Sequence, residues 1–225
     1  MIFPSDWFGA AVCNLAWLLL TALLVYTARP AYRALQQYRS AAALAILILT
    51  AAWSLTAAPD SGQLGGMSYH LLALNLTALM LGAPAALWLA ALLLLPYLYF
   101  FGGGIQAYPV NALALLLPPL AVHLLARSAV ARLPANLFIF IFVNGFLASA
   151  LGIIATGLVL VSILDAADIF TAEVLWSTAF PVFFLLAWAE AFLSGITTAI
   201  FIALRPHWLN TFDDRRYLKS QNQIW

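Results

Sequence analysis

Apolar runs long enough to cross a bilayer follow one another along this chain, and all nine of its basic residues fall in alternate breaks between them. A spanning helix needs about 20 mostly apolar residues. The runs read as spans over Trp7–Ala28, closed by Arg29-Pro30; Ala41–Ala58, closed by Pro59-Asp60; and a short third, Met67–Leu81, broken by Gly82-Ala83-Pro84. The fourth is Ala85–Phe101, ending in Gly102-Gly103-Gly104. The fifth is Val110–Ala126, interrupted by Pro118-Pro119, and the last two are Leu137–Leu164 and Leu175–Leu204. Arg29, Arg33 and Arg39 separate the first two spans. Arg127 and Arg132 separate the fifth and sixth, and Arg205, Arg215, Arg216 and Lys219 follow the seventh. A count of about seven therefore puts every positive charge on one side, with Asp6, Asp60, Asp165, Asp168 and Glu173 on the other. The positive-inside rule makes the basic side cytoplasmic, with the N-terminus outside.

Only 8% of residues are charged and 65% are hydrophobic, against about 25% charged in a soluble domain. Too few charges remain to cover a water-facing surface. The expected fold is an all-α polytopic membrane helix bundle over residues 1–209, with a cytoplasmic tail over 210–225. The net charge of +1 argues against a nucleic-acid partner, and the one cysteine, Cys13, excludes an internal disulfide and a cysteine cage. No basic n-region precedes the first run, so it reads as a retained helix rather than a cleaved signal.

Polar groups inside lipid need partners, and ionisable ones mark function or a satisfied structural role. Glu190 is the one acid well inside a span; it is either a lining residue of a substrate path or a carboxyl bonded to neighbouring Asn and Ser. Asn14, Asn75, Asn111 and Asn144 read as interhelical hydrogen-bond glue. His123 and His207 read as interfacial side chains and Cys13 as a buried thiol. His70, at the outer end of the third span, shares its membrane face with Met1. A free amine and an imidazole both shed protons around neutral pH and are nitrogen donors suited to Ni, Co, Cu or Zn. Met67, three residues before His70, would sit one helical turn away. Spacing alone leaves open whether His70 is a ligand or a structural residue. The sequence carries no HExxH, GxSxG, Walker A or CxxC.

Three ordered segments carry a resemblance. They are Gly66-Met67-Ser68-Tyr69-His70-Leu71 with the turn Gly82-Ala83-Pro84, the glycine-rich stretch leading to Asn111, and a closing helix with Glu190, Ala191, Gly195 and Arg205-Pro206. Together they resemble the CbiM/NikM family, the substrate-binding membrane subunits of energy-coupling-factor importers for cobalt and nickel. The resemblance implies a bacterial cytoplasmic-membrane protein without an ATPase site of its own. Its partners would be ATPase and membrane coupling subunits, and its cargo a transition-metal ion held at the outer face. Carried over by position, the ligands are the Met1 amine, the Ile2 amide and His70. Asn111 and Glu190 support the site, and Met67 or Asp6 are candidate replacement ligands. Where the family has a second-position His, this chain has Ile2. Two rival readings follow: a family member that lost its cargo and serves as a membrane scaffold, and, ranked last, a membrane enzyme using Glu190 and His70.

Overall fold

In lipid the backbone must bond to itself, so long apolar runs fold as helices. The computed structural model describes residues 2–4, 7–56, 68–100 and 104–217. They form α1 (Ala10–Gln37), α2 (Arg39–Ser54), α3 (Leu74–Leu81), α4 (Ala83–Phe100) and α5 (Tyr108–Ala131), the last entered by a 3-10 turn at Ile105–Ala107. Then come α6 (Leu137–Ala166) and α7 (Ala172–Leu204), a 3-10 turn at Pro206–Trp208, and the short α8 (Asp214–Tyr217). Asn136 starts α6 by accepting the amides of Phe138 and Ile139 at 2.8 and 3.2 Å. Five of the helical stretches, namely α1, α4, α6, α7 and Ile105–Ala131, are long and apolar enough to cross a membrane. Large apolar side chains face outward on them, with Leu125 70% and Leu185 73% exposed. Left in water, such side chains forgo about 1.5–3 kcal/mol each; in a bilayer they are simply solvated.

The structure departs from the sequence reading at three places. First, α1 does not close at Arg29-Pro30 but continues to Gln37. A proline removes one backbone donor and kinks a helix without having to end it, and Ala31 beyond it is buried. Second, Pro118-Pro119 does not interrupt α5; Pro119 packs where Gly152 of α6 leaves room, with only 3.1 Å between Pro119 Cβ and the place a Gly152 Cβ would occupy. Third, the third span is mostly not a helix. Helical structure begins only at Leu74, and residues 68–73 are non-helical and mostly buried within the bundle. His70 is therefore not helical, and the helical-turn spacing drawn from Met67 to His70 does not hold; Met67 itself lies outside the described residues.

The reason for the third departure is visible at Ala73. It sits in the left-handed region at φ 53°, a conformation costing a non-glycine residue roughly 1–2 kcal/mol. That kink turns the amides of Leu72 and Ala73 toward Glu190 of α7 instead of into a helix. All eight residues of α3 are buried, so this short helix is the core around which α2, α4, α5, α6 and α7 pack. Glycines set the closest approach between α6 and α7. A Cβ on Gly145 would lie 3.2 Å from Thr198 Cβ and Oγ1 and 3.3 Å from Gly195 Cα.

The tail turns back over one end of the bundle. Asn210 and Thr211 amides donate to the carbonyls of Met80 and Leu79 at 3.0 and 3.3 Å, capping α3. The Arg216 guanidinium donates to the carbonyls of Val130, Ala131 and Leu133, capping α5. Phe212 and Tyr217 are buried against Phe140. This is the arginine-bearing end.

Candidate metal site

At the opposite end, α2, α4 and α5 hold two non-helical strands of chain inside the bundle. The first is the N-terminal strand. Asn111, one turn into α5 and fully buried, pairs with Phe3 as a backbone would. Its Oδ1 accepts the Phe3 amide at 2.7 Å and its Nδ2 donates to the Phe3 carbonyl at 3.0 Å. The same Nδ2 also donates to the carbonyl of Ala107. Phe3 is buried, with Phe8 and Trp7 rings at 5.3 and 6.2 Å. A backbone buried in this environment has to find such partners, and an asparagine side chain is the amide that supplies both halves of the pair.

The second strand is 68–73. Trp53, at the end of α2, donates its indole N–H to the Leu72 carbonyl at 3.0 Å. Glu190 accepts the Leu72 amide at 3.0 Å from the other side. His70 lies between these anchors, 1% exposed. Its ring is boxed by Trp53 at 5.7 Å and Tyr97 at 5.1 Å between centroids. Its Nδ1 is 2.9 Å from the Leu71 carbonyl. A carbonyl only accepts, so this nitrogen carries the proton and the neutral ring presents its lone pair at Nε2. That atom is buried and has no hydrogen-bond partner. A narrow cavity of about 30 Å³ separates the two strands, lined by Ile2, Phe3, Trp7, Ser68 and Tyr69 together with residues of α6 and α7. An unpaired buried nitrogen, fixed in its tautomer by a backbone bond, is the arrangement in which metal-binding imidazoles are held.

A family model described as the cobalt uptake substrate-specific transmembrane region, CbiM, matches residues 3–208. The chain belongs to the CbiM family. Two solved structures share the CbiM-family fold seen here. One, described as a transition metal transporter, has a TM-score of 0.73 at 16% identity, covering 91% of this chain and 93% of that one. The other, described as a truncated transition metal transporter, has a TM-score of 0.69 at 16% identity, covering 90% and 99%. No protein of curated function matches the chain.

Of the residues singled out by sequence, the CbiM-family fold brings Ile2 and the segment carrying His70 to the same end and lines one cavity with Ile2, Ser68 and Tyr69. Asn111 stands behind the N-terminal strand and Glu190 behind the His70 segment, each engaged with backbone rather than open to the cavity. Glu190 is thus a satisfied carboxyl, its partners backbone amides rather than Asn or Ser. Met1, Asp6 and Met67 lie outside the described residues. Among the described residues no three His, Cys, Asp or Glu side chains gather as a metal-binding group. Asn14 is exposed on α1, whereas Asn75, Asn111 and Asn144 are buried.

Sequence reasoning overlooked Trp53 and Tyr97, the walls of the His70 box. Each is an aromatic with a polar edge near the end of an apolar run, which is the signal that marks them. His123 is a correction. It does not lie at the interface but is 1% exposed and bonded through Nδ1 to Asn75 Oδ1 at 2.8 Å. It sits on the buried face of α5, and the buried Asn75 amide supplies the partner that water would have given.

Proposed function

We propose that the chain is the substrate-binding membrane subunit of an energy-coupling-factor importer for a cobalt- or nickel-like ion, acting in a bacterial cytoplasmic membrane. In this reading seven passes place the arginine-bearing end in the cytoplasm, following the positive-inside rule. The cargo binds at the outer end, between the Met1 amine, the Ile2 amide and His70 Nε2. The observation that carries the reading is the buried, unpartnered Nε2 of His70, on a segment whose Ser68 and Tyr69 share a cavity with the N-terminal strand clamped by Asn111. A divalent ion supplies the missing partner and takes three nitrogen donors, a set that suits Ni(II), Co(II) and Cu(II). The sequence has no nucleotide-binding loop, so uptake against a gradient is driven by ATPase subunits joined through a membrane coupling subunit.

Protein purified with its native N-terminus should bind Ni(II) or Co(II) in an equilibrium titration. His70→Ala should lower affinity by on the order of a hundredfold, and a few residues added before Met1 should do the same by removing the free amine. A titration unaffected by both changes would remove the outer site from the account.

A second reading is supported by Ile2. With a side chain that offers no donor at the second position, the chain can be a family member that kept the fold as a membrane scaffold. It then binds none of these metals, and the same titration separates the two.

A further inference from the structure

The aromatic box around His70 is tied together by hydroxyl groups. Thr56, just past the end of α2, donates its Oγ1 proton to the Trp53 carbonyl at 2.8 Å. A threonine hydroxyl has one hydrogen, so at its 3.2 Å contact with the Tyr97 hydroxyl the Thr56 oxygen accepts and Tyr97 donates. The Tyr97 proton is thereby used, and the Ser68 side chain, which also bonds the Tyr97 hydroxyl, is the donor there. One directed chain runs from Ser68 through Tyr97 and Thr56 to the Trp53 carbonyl. Trp53 closes it by donating its indole N–H to the Leu72 carbonyl at 3.0 Å. Ser68 and Leu72 stand two residues before and two residues after His70, so one network holds the segment on both sides of the imidazole.

The rings complete the arrangement. Tyr97 meets the His70 ring edge-on at 5.1 Å and the Trp53 ring edge-on at 5.5 Å. Both aromatic side chains are buried, yet a cavity of about 350 Å³ lies beside them, lined also by Leu93, Pro96 and Phe100 of α4. The rings have space to turn into, so packing alone does not fix them, and the hydroxyl chain does. Linked hydrogen bonds in surroundings of low dielectric reinforce one another. Tyr97 is the member that touches both the chain and the imidazole.

We propose that Tyr97 is the positioning residue for the His70 imidazole and, through it, sets which divalent ion the outer site prefers. The proposal rests on the reading of His70 Nε2 as a metal ligand. The Tyr97 ring blocks rotation of the imidazole and its hydroxyl holds Ser68, so Nε2 keeps one direction. A fixed direction matters to Ni(II) and Cu(II), which take square-planar or tetragonal nitrogen sets. It matters little to Zn(II), whose filled d shell imposes no geometry. Loss of the hydroxyl therefore leaves a nitrogen donor in place but erodes the preference for the planar ions.

The test compares Ni(II) and Zn(II) titrations of the full chain with its native N-terminus in lipid nanodiscs. Tyr97→Phe keeps the ring and removes the hydroxyl. Ni(II) affinity should fall by about 10- to 100-fold, the usual effect of removing a group that orients a metal ligand, and the Ni-to-Zn affinity ratio should drop by about tenfold. General damage to the fold would weaken both ions alike, so an unchanged ratio overturns the proposal. Should Tyr97→Phe not fold, Ser68→Ala cuts the same chain at its other end and is read by the same two outcomes. Failure of the outer site itself is read separately. If wild-type protein binds neither ion, or binds both as well after His70→Ala, the ring is followed without metal. In 15N-histidine spectra wild-type His70 should show the single Nδ1–H tautomer that its bond to the Leu71 carbonyl requires. Exchange broadening or a mixed tautomer in Tyr97→Phe supports the positioning role, and a spectrum identical to wild type overturns it.

Discussion

Asn111→Leu should release the N-terminal strand and weaken metal binding by about 30- to 700-fold. Leucine matches asparagine roughly in size but leaves the Phe3 amide and carbonyl without the partners they have at 2.7 and 3.0 Å. The two orphaned groups together cost about 2–6 kcal/mol; the freed strand can regain partners outside the cavity, and the lower part of that range, about 2–4 kcal/mol, corresponds to the stated loss of affinity. The cheapest response is for residues 2–4 to leave the cavity, since the rest of α5 is held by other helices. The melting temperature should therefore fall less than the binding does. Asn111→Asp keeps the acceptor and loses the donor, so its defect should be intermediate. A calorimetric titration alongside a thermal melt checks this; affinity unchanged in Asn111→Leu would mean that the clamped strand contributes nothing to the site.

Glu190→Ala should destabilise the protein by about 3–5 kcal/mol, whereas Glu190→Gln should cost about 1 kcal/mol. The carboxyl accepts the Leu72 and Ala73 amides at the kink where Ala73 takes its left-handed conformation. With alanine those donors face an apolar interior, where each unsatisfied group costs several kcal/mol, and a cavity is left besides. Glutamine retains an oxygen acceptor in the same place. Denaturant or thermal unfolding in detergent of the two variants separates an anchor from a charged lining residue. Equal damage from both substitutions would show that the charge itself is needed, contrary to the anchoring role.

Much of this was legible in the sequence, and the illegible parts have physical causes. Apolar length and the placement of arginines were enough for a membrane bundle, because both reflect solvent rather than detailed packing. Boundaries failed where proline was given too much weight, at Pro30 and Pro118-Pro119, since a bundle can support a helix that has lost a hydrogen bond. Residues 68–73 look as helical as any other apolar stretch. What holds them out of a helix is Glu190, more than 100 residues away, with Trp53 on the other side, and no local pattern reports a long-range bond. Asn111 was singled out both as a polar residue in an apolar run and by resemblance, but its pairing with Phe3 needed the fold. His123 was misread for the same reason that His70 was noticed: position along a span says which end a residue is near, not which side chain waits for it.

The proposed function requires a metal bound through the His70 imidazole at the end of the bundle where the N-terminal strand is held. X-ray absorption of Ni(II) at one equivalent, on protein with its native first residue, reads this directly. The spectrum should show nitrogen and oxygen neighbours with the multiple-scattering signature of a single imidazole, and His70→Ala should erase that signature. Hydrated, unbound nickel in the wild-type sample, or an imidazole signature that His70→Ala leaves intact, would contradict it.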